Sequence, residues 1–182
     1  AIPYFNTYIA QSKEDRNRLT DAYLRMADCN YISSKYWPAM DAYNKAIELK
    51  CVDADYAAFQ KGMSYGFVNK NDKKIEDLTK FVSTYKTSQY LDDALYELGN
   101  TYTAEEMNDK AISTFDNLIN NNKNSAYVAK SILKQGLIYY NTDKDDAAIT
   151  KFKKVVAEFP NSPESLEAVA TAKSIYKANG KV

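Results

Sequence analysis

Between Leu95 and Phe115 the sequence reads Leu95-x2-Leu98-Gly99-x2-Tyr102, then eight residues, then Ala111-x3-Phe115. Apolar residues three and four apart give each half one helical face, and the polar stretch between them is a turn. Gly99 and Ala111 put a small residue on each helix where the two must touch. The pattern recurs along the chain. The small first-helix residues Ala27, Gly62, Gly99 and Gly136 are spaced 35, 37 and 37. The second-helix residues Phe5, Tyr43, Leu78, Phe115 and Phe152 are spaced 38, 35, 37 and 37. Two landmarks that drift together mark one repeated helix pair, and such pairs bury their apolar faces by stacking on their neighbours. Glycine inside a helix costs about 1 kcal/mol relative to alanine. Three of the five glycines stand at this one site, which is expected where two helix backbones approach too closely for a side chain.

The chain therefore reads as a single all-α array over residues 1–182. A half unit covers 1–12, whole units cover 13–50, 51–86, 87–124 and 125–160, and a terminal helix covers 161–182. The opening Ala1-Ile2-x2-Phe5 matches Ala111-Ile112-x2-Phe115 in register. Its first-helix partner is expected upstream, so the sequence is expected to be an internal piece of a longer array. Pro3 and Pro38 sit in the first turns of second helices, where proline is tolerated. Asn71 or Asp72 is the expected N-cap of the second helix in 51–86. Pro160 ends one helix, Asn161-Ser162-Pro163 begins the last, and Gly180 closes it. Ala172 and Tyr176 are expected on the seam of that last helix. Trp37, near a turn, is expected to plug the packing there.

Composition narrows the functions. Lysine plus arginine equals aspartate plus glutamate, 24 each. A chain without net charge does not favour nucleic acid or an anionic membrane, both of which select a basic face. No apolar run reaches the length of a membrane span. Histidine is absent, which removes Ser-His-Asp and Cys-His catalysis and most zinc chemistry. Cys29 and Cys51 form no C-x-x-C pair and read as small apolar residues with free thiols, although a disulfide stays open. Asp143, Asp145 and Asp146 lack the glycine and closing glutamate of a calcium loop and read as turn or N-cap residues. Glu105, Glu106 and Asp109 read as a solvated turn. Gly62-x3-Gly66 lies in a helix too polar for a membrane dimer motif. There is no phosphate-binding glycine loop and no nucleophile beside a base. No cofactor, metal site or enzymatic activity is expected.

At these residues the chain resembles the tetratricopeptide repeat family, over nearly its whole length. Unit 87–124 fits the family pattern except that Leu95 replaces tryptophan and no proline closes it. Unit 125–160 has Gln135 for the leucine before the glycine and keeps Pro160. Unit 51–86 is the most degenerate, with Lys61 and Lys74 where leucine and alanine are expected. The spacings of 35 to 38 exceed the usual 34. They resemble the large multi-repeat proteins of the Bacteroidetes cell envelope, which leans the location to the periplasm or envelope and leaves the cytoplasm open.

The resemblance implies a right-handed α-superhelix whose first helices line a concave, partner-binding face. On that face it would place Asp21, Leu24, Asp28 and Tyr31, then Tyr56, Phe59, Met63 and Phe67. The later units would add Asp93, Tyr96, Asn100 and Thr103, then Lys130, Leu133, Leu137 and Tyr140. The expected binding residues among them are Asp28, Tyr31, Tyr56, Phe59, Met63, Phe67, Tyr96, Asn100, Leu137 and Tyr140. The stripe Tyr56, Phe59, Met63, Phe67 reads equally as an aromatic groove or as packing between helices. Leu24 and Asp28 stand where the family's carboxylate clamp needs cationic or amide groups, so that clamp is not expected. The implied function is a non-catalytic scaffold binding a peptide or helix of another protein. The alternative is a spacer or assembly platform in a larger envelope protein, acting through its ends and convex face. Weak self-association through the two ends is also expected.

Overall fold

The structure is a computed structural model that describes residues 1–11 and 15–180. Among them are ten α-helices and no strand. They are α1 (Ile2–Gln11), α2 (Arg16–Ile32), α3 (Tyr36–Glu48), α4 (Ala54–Phe67), α5 (Asn71–Thr84), α6 (Leu91–Ala104), α7 (Asn108–Asn121), α8 (Val128–Asn141), α9 (Asp145–Glu158) and α10 (Pro163–Ala178). The chain divides into two compact units, Ala1–Ala94 and Leu95–Val182, with the division inside α6. In the first, α1 packs on α2, α2 on α3, α3 on α4 and α4 on α5. In the second, α7 packs on α8, α8 on α9, α9 on α10, and α8 also touches α10. Ser12 and Lys13, the expected boundary between half unit and first whole unit, lie outside the described residues.

Burial repeats with the register. Ala22, Ala57, Ala94, Ser131 and Ala168 are all buried, one on each first helix, at spacings of 35, 37, 37 and 37. A second buried column holds the close approach of paired helices. A Cβ on Gly99 would lie 2.5 Å from Phe115 Cε1, and one on Gly136 would lie 2.5 Å from Phe152 Cε1. Both distances are far inside van der Waals contact, so the ring packs on bare backbone. Gly62 faces the narrower Leu78, whose Cδ2 leaves 3.0 Å. The landmark pairs of the sequence are thus contact pairs.

The turn inside each pair is also one conformation repeated. Ser34, Asn69, Glu106 and Asp143 have φ between 55° and 57°, the left-handed region. The next amide closes each first helix: Lys35 N–H donates to Asn30 O, Lys70 to Tyr65 O, Met107 to Tyr102 O and Lys144 to Tyr139 O, at 2.8 to 2.9 Å. This is a Schellman closure, and it hands the chain straight to the second helix. It also moves the N-caps. Lys70, rather than Asn71 or Asp72, caps α5, and it forms no side-chain cap bond. Lys144 likewise caps α9, leaving Asp143 in the turn and Asp145 and Asp146 in the first helical turn. There the two carboxylates favour the positive end of the helix dipole. Side-chain caps occur at Asp15, which accepts from Arg18 N–H, and at Ser162, which accepts from Ser165 N–H before Pro163. Gly180, at φ +65°, follows the cap of α10.

The departures from the family pattern are compensated in pairs. Lys61, at the leucine position, pairs with Asp77 across the seam at 3.1 Å. Lys74, at the alanine position, lays its stem against Gly66, where an added Cβ would sit 3.2 Å from Lys74 Cδ. Gln135 is buried at the same position as Lys61. Its amide donates to Ile112 O at 2.9 Å and Asp116 Oδ1 at 2.8 Å, and its Oε1 accepts from Lys151 Nζ at 2.6 Å. A buried amide so satisfied ties α7, α8 and α9 together without an orphaned polar atom. Trp37 is no plug: it is 54% exposed and lies in a T-shaped contact with Tyr65, centroids 6.4 Å apart. Both cysteines are free thiols, Cys51 buried and its thiol pKa pushed up by that burial.

Two consequences are measurable by thermal or denaturant unfolding. Gly136→Ala should destabilise by about 1–3 kcal/mol through overpacking against Phe152, whereas Gly66→Ala should be neutral or stabilising by up to about 1 kcal/mol because only a flexible lysine stem must shift. Glu106→Gly should stabilise by about 1 kcal/mol, since the left-handed turn penalises a side chain there.

Candidate functional site

The first-helix positions expected to face a partner form four columns. Register places Asp21, Tyr56, Asp93 and Lys130 in one, and Leu24, Phe59, Tyr96 and Leu133 in the next. Asp28, Met63, Asn100 and Leu137 form the third, and Tyr31, Gly66, Thr103 and Tyr140 the fourth. Phe67 therefore lies one residue beyond its expected column, about 100° further around the helix. Its register equivalents are Ile32, Ala104 and Asn141.

The column of Phe59 and Tyr96 is committed to packing. Phe59 stacks on Tyr90 at 5.5 Å between centroids, with the planes 11° apart, and also meets Phe81 at 5.9 Å. Tyr96 stacks on Tyr127 at 4.5 Å and 18°, and meets Phe115 at 6.1 Å. Tyr90 and Tyr127 are themselves 37 apart, so this is one contact made twice, once in each compact unit. It fastens the loop entering each following first helix. Lys130 Nζ lies 5.6 Å from the Tyr127 ring centroid, a cation–π contact. The loop tyrosines were not among the expected functional residues, although their shared spacing was visible.

The Asp28 carboxylate is likewise engaged. Tyr43 Oη donates to Asp28 Oδ1 at 2.7 Å and Tyr56 Oη to the same atom at 3.0 Å, which joins α2, α3 and α4. Burial, followed by the hydrogen bond and charge of Asp28, pushes the Tyr56 hydroxyl up to about 12. The same causes push up the Tyr43 hydroxyl. In the second compact unit, burial raises the Tyr96 hydroxyl, and a hydrogen bond with Asn100 opposes the rise.

What stays open lies at the turn end of the first helices. Phe67 is 53% exposed and stacks on Tyr36 at 4.7 Å with the planes 9° apart. Tyr31 meets both rings edge-on, at 5.7 Å from Tyr36 and 5.8 Å from Phe67. One outer ring face is thus preorganised by two aromatic neighbours. In the other compact unit Tyr140 is 38% exposed beside half-buried Leu137. Of the ten expected residues, Asp28 and Tyr56 touch each other, as do Tyr31 and Phe67. Phe59 faces inward packing, and Met63 is half-buried.

No group of three or more cysteine, aspartate or glutamate residues among the described residues could hold a metal ion. No described helix is long and apolar enough to cross a membrane.

Paired helices in a constant register, with left-handed closures repeated at the same interval, define a helical-repeat protein. Residues 93–125 and 130–162 each match the family model described as "Tetratricopeptide repeat", and the described helices as a whole have the helical-repeat fold. The family generally mediates protein–protein interaction and is generally non-catalytic. A crystal structure of MamA protein is similar at a TM-score of 0.70 and 23% identity, covering 89% of this chain and 83% of that one. A structure described as "YrrB: a TPR protein with an unusual peptide-binding site" is similar at 0.68 and 20% identity, covering 100% and 86%. BtubC from P. vanneervenii is similar at 0.68 and 15% identity, covering 99% and 83%. At these identities the likeness is one of fold. No curated protein sequence matches the chain.

The tyrosine pair on Asp28 gives a pH signature. A hydroxyl raised in the folded state contributes stability that is complete below the ordinary tyrosine value and is lost as pH rises through the folded value. Stability should therefore hold steady up to about pH 10 and fall from there towards pH 12. Asp28→Ala should cost about 1–3 kcal/mol by leaving two hydroxyls unpaired. It should also lower the pH at which Tyr56 ionises, read by phenolate absorbance.

Proposed function

We propose that the chain is a protein-interaction scaffold that holds a peptide or helical segment of another protein against its first-helix face. The observation that carries this reading is the exposed Phe67 ring stacked on Tyr36 and braced by Tyr31. An aromatic with a fixed orientation and one open face loses little conformational freedom on binding, which is the property of interface anchors. Leu137 and Tyr140 offer a second, smaller apolar patch, and Met63 and Asn100 supply adaptable and hydrogen-bonding contacts. The peptide-binding site named for YrrB supports a peptide as the occupant. The alternative, a spacer or platform acting through ends and outer face in an envelope protein, would leave these residues without a partner. Its self-association would run through α1 and α10.

Affinity capture tests this reading, with the chain as bait beside a Phe67→Glu variant and a Tyr140→Ser variant. Phe67→Glu should reduce retention of a specific partner at least tenfold while the helical circular dichroism stays unchanged. Equal retention by native and variant baits would move the contact off the first-helix face.

A further inference from the structure

Two adjacent residues in the first turn of α3 break the array together. Register sets Tyr36 against Asn71, Asn108 and Asp145, and Trp37 against Asp72, Asp109 and Asp146. Helices α5, α7 and α9 thus each carry aspartate in the first turn, and α3 carries no acid there. A carboxylate in that place answers the positive end of the helix dipole and the N–H groups that find no carbonyl within the helix. Lys35 caps α3 without a side-chain hydrogen bond, so the cap supplies no oxygen either. The first acid along α3 is Asp41, more than a turn further on.

The rings that replace the acids are not spent on the core. Trp37 is 54% exposed. Tyr36, the first residue of α3, carries the Phe67 ring at 4.7 Å with the planes 9° apart. The open face of Phe67 and the N-terminus of α3 are therefore one stacked ring apart. The local charge has the same sign as that helix end. Lys35 and Lys70 are exposed, whereas Lys73 is engaged by Glu76 at 2.8 Å and Asp72 serves the N-terminus of α5.

We propose that the segment held against Phe67 presents the side-chain carboxylate of an aspartate or glutamate to the N-terminus of α3. The occupant is thus a short acidic segment of a partner protein, with an apolar residue for the Phe67 face. The partner supplies the charge that α5, α7 and α9 carry themselves. A carboxylate is the group because aspartate is what the array itself places there. A neutral or basic segment would leave the helix end and Lys35 uncompensated. This inference rests on the first-helix reading above and adds the chemical class of the occupant.

The test is selection of short random peptides displayed on phage, joined to the coat protein at their C-termini so that only side chains offer carboxylates. The whole native chain is the bait. Selected peptides should hold more aspartate and glutamate than the unselected library. Synthesised with a fluorescent label, the best of them should bind about tenfold more weakly when its acids become amides. Trp37→Asp restores the missing acid, keeps the Tyr36–Phe67 stack, and should weaken binding by a similar factor. Trp37→Asn removes the same ring without charge and should not. Equal weakening by both variants would overturn the inference, since the ring and not the charge would then be the contact. So would selected peptides without an excess of acids that nonetheless depend on Phe67, a result that leaves the first-helix reading standing. Peptides that bind a Phe67→Glu chain as well as the native one, or no enriched peptide at all, would overturn that reading and this inference with it. A native dimer in sedimentation that Trp37→Asp dissolves and Trp37→Asn does not would give the site to a second copy and overturn the inference as well. Should Trp37→Asp fail to fold, the exposed Lys35→Glu reversal decides: it should weaken the acidic peptide, and unchanged affinity would overturn the inference.

Discussion

Everything in this structure depends on the backbone contact at Gly99 and Gly136. A phenylalanine ring packed on bare helix backbone brings two helices closer than side-chain packing allows. It fixes both their separation and their rotation at one point. The Schellman turn supplies the second constraint, because one backbone conformation at Asn69, Glu106 and Asp143 delivers the next helix at the same angle each time. With closest approach and turn both set, the remaining side chains need only fill space. That tolerance is why unit 51–86 keeps the fold although two of its consensus residues are lysines.

The fold was legible in the sequence because its constraints are periodic. Glycine, aromatic and turn residues all recur at 35 to 38, and periodic signals reinforce one another. The compensations were not legible, because each joins residues on different helices: Lys61 with Asp77, Lys74 with Gly66, Gln135 with Asp116 and Lys151. Read singly, each is a departure from the pattern; in contact, each is satisfied. The N-caps were missed for a related reason. Asn71 and Asp72 have capping side chains, but the left-handed residue before Lys70 fixes where the helix starts, and backbone geometry outranks side-chain preference there.

The candidate site was half legible. A stripe of Tyr56, Phe59, Met63 and Phe67 has helical spacing, yet spacing alone cannot say which neighbour covers it. The loop tyrosine Tyr90 covers Phe59, and Tyr127 covers Tyr96 in the same manner. Hydroxyls of Tyr43 and Tyr56 converge on Asp28. The ring left open is Phe67, which register removes from the stripe altogether. Gly66 holds the register of Tyr31, Thr103 and Tyr140, and the stem of Lys74 lies against it. The register of Phe67 is exposed in the other units too, at Ile32, Ala104 and Asn141.

Binding capacity in such an array follows from where the repeat is broken. A column that recurs without change is committed to packing: Ala22 through Ala168 are buried, and the Phe59–Tyr90 contact returns as Tyr96–Tyr127. A column that changes is free to take a partner. Phe67 lies out of column and is exposed.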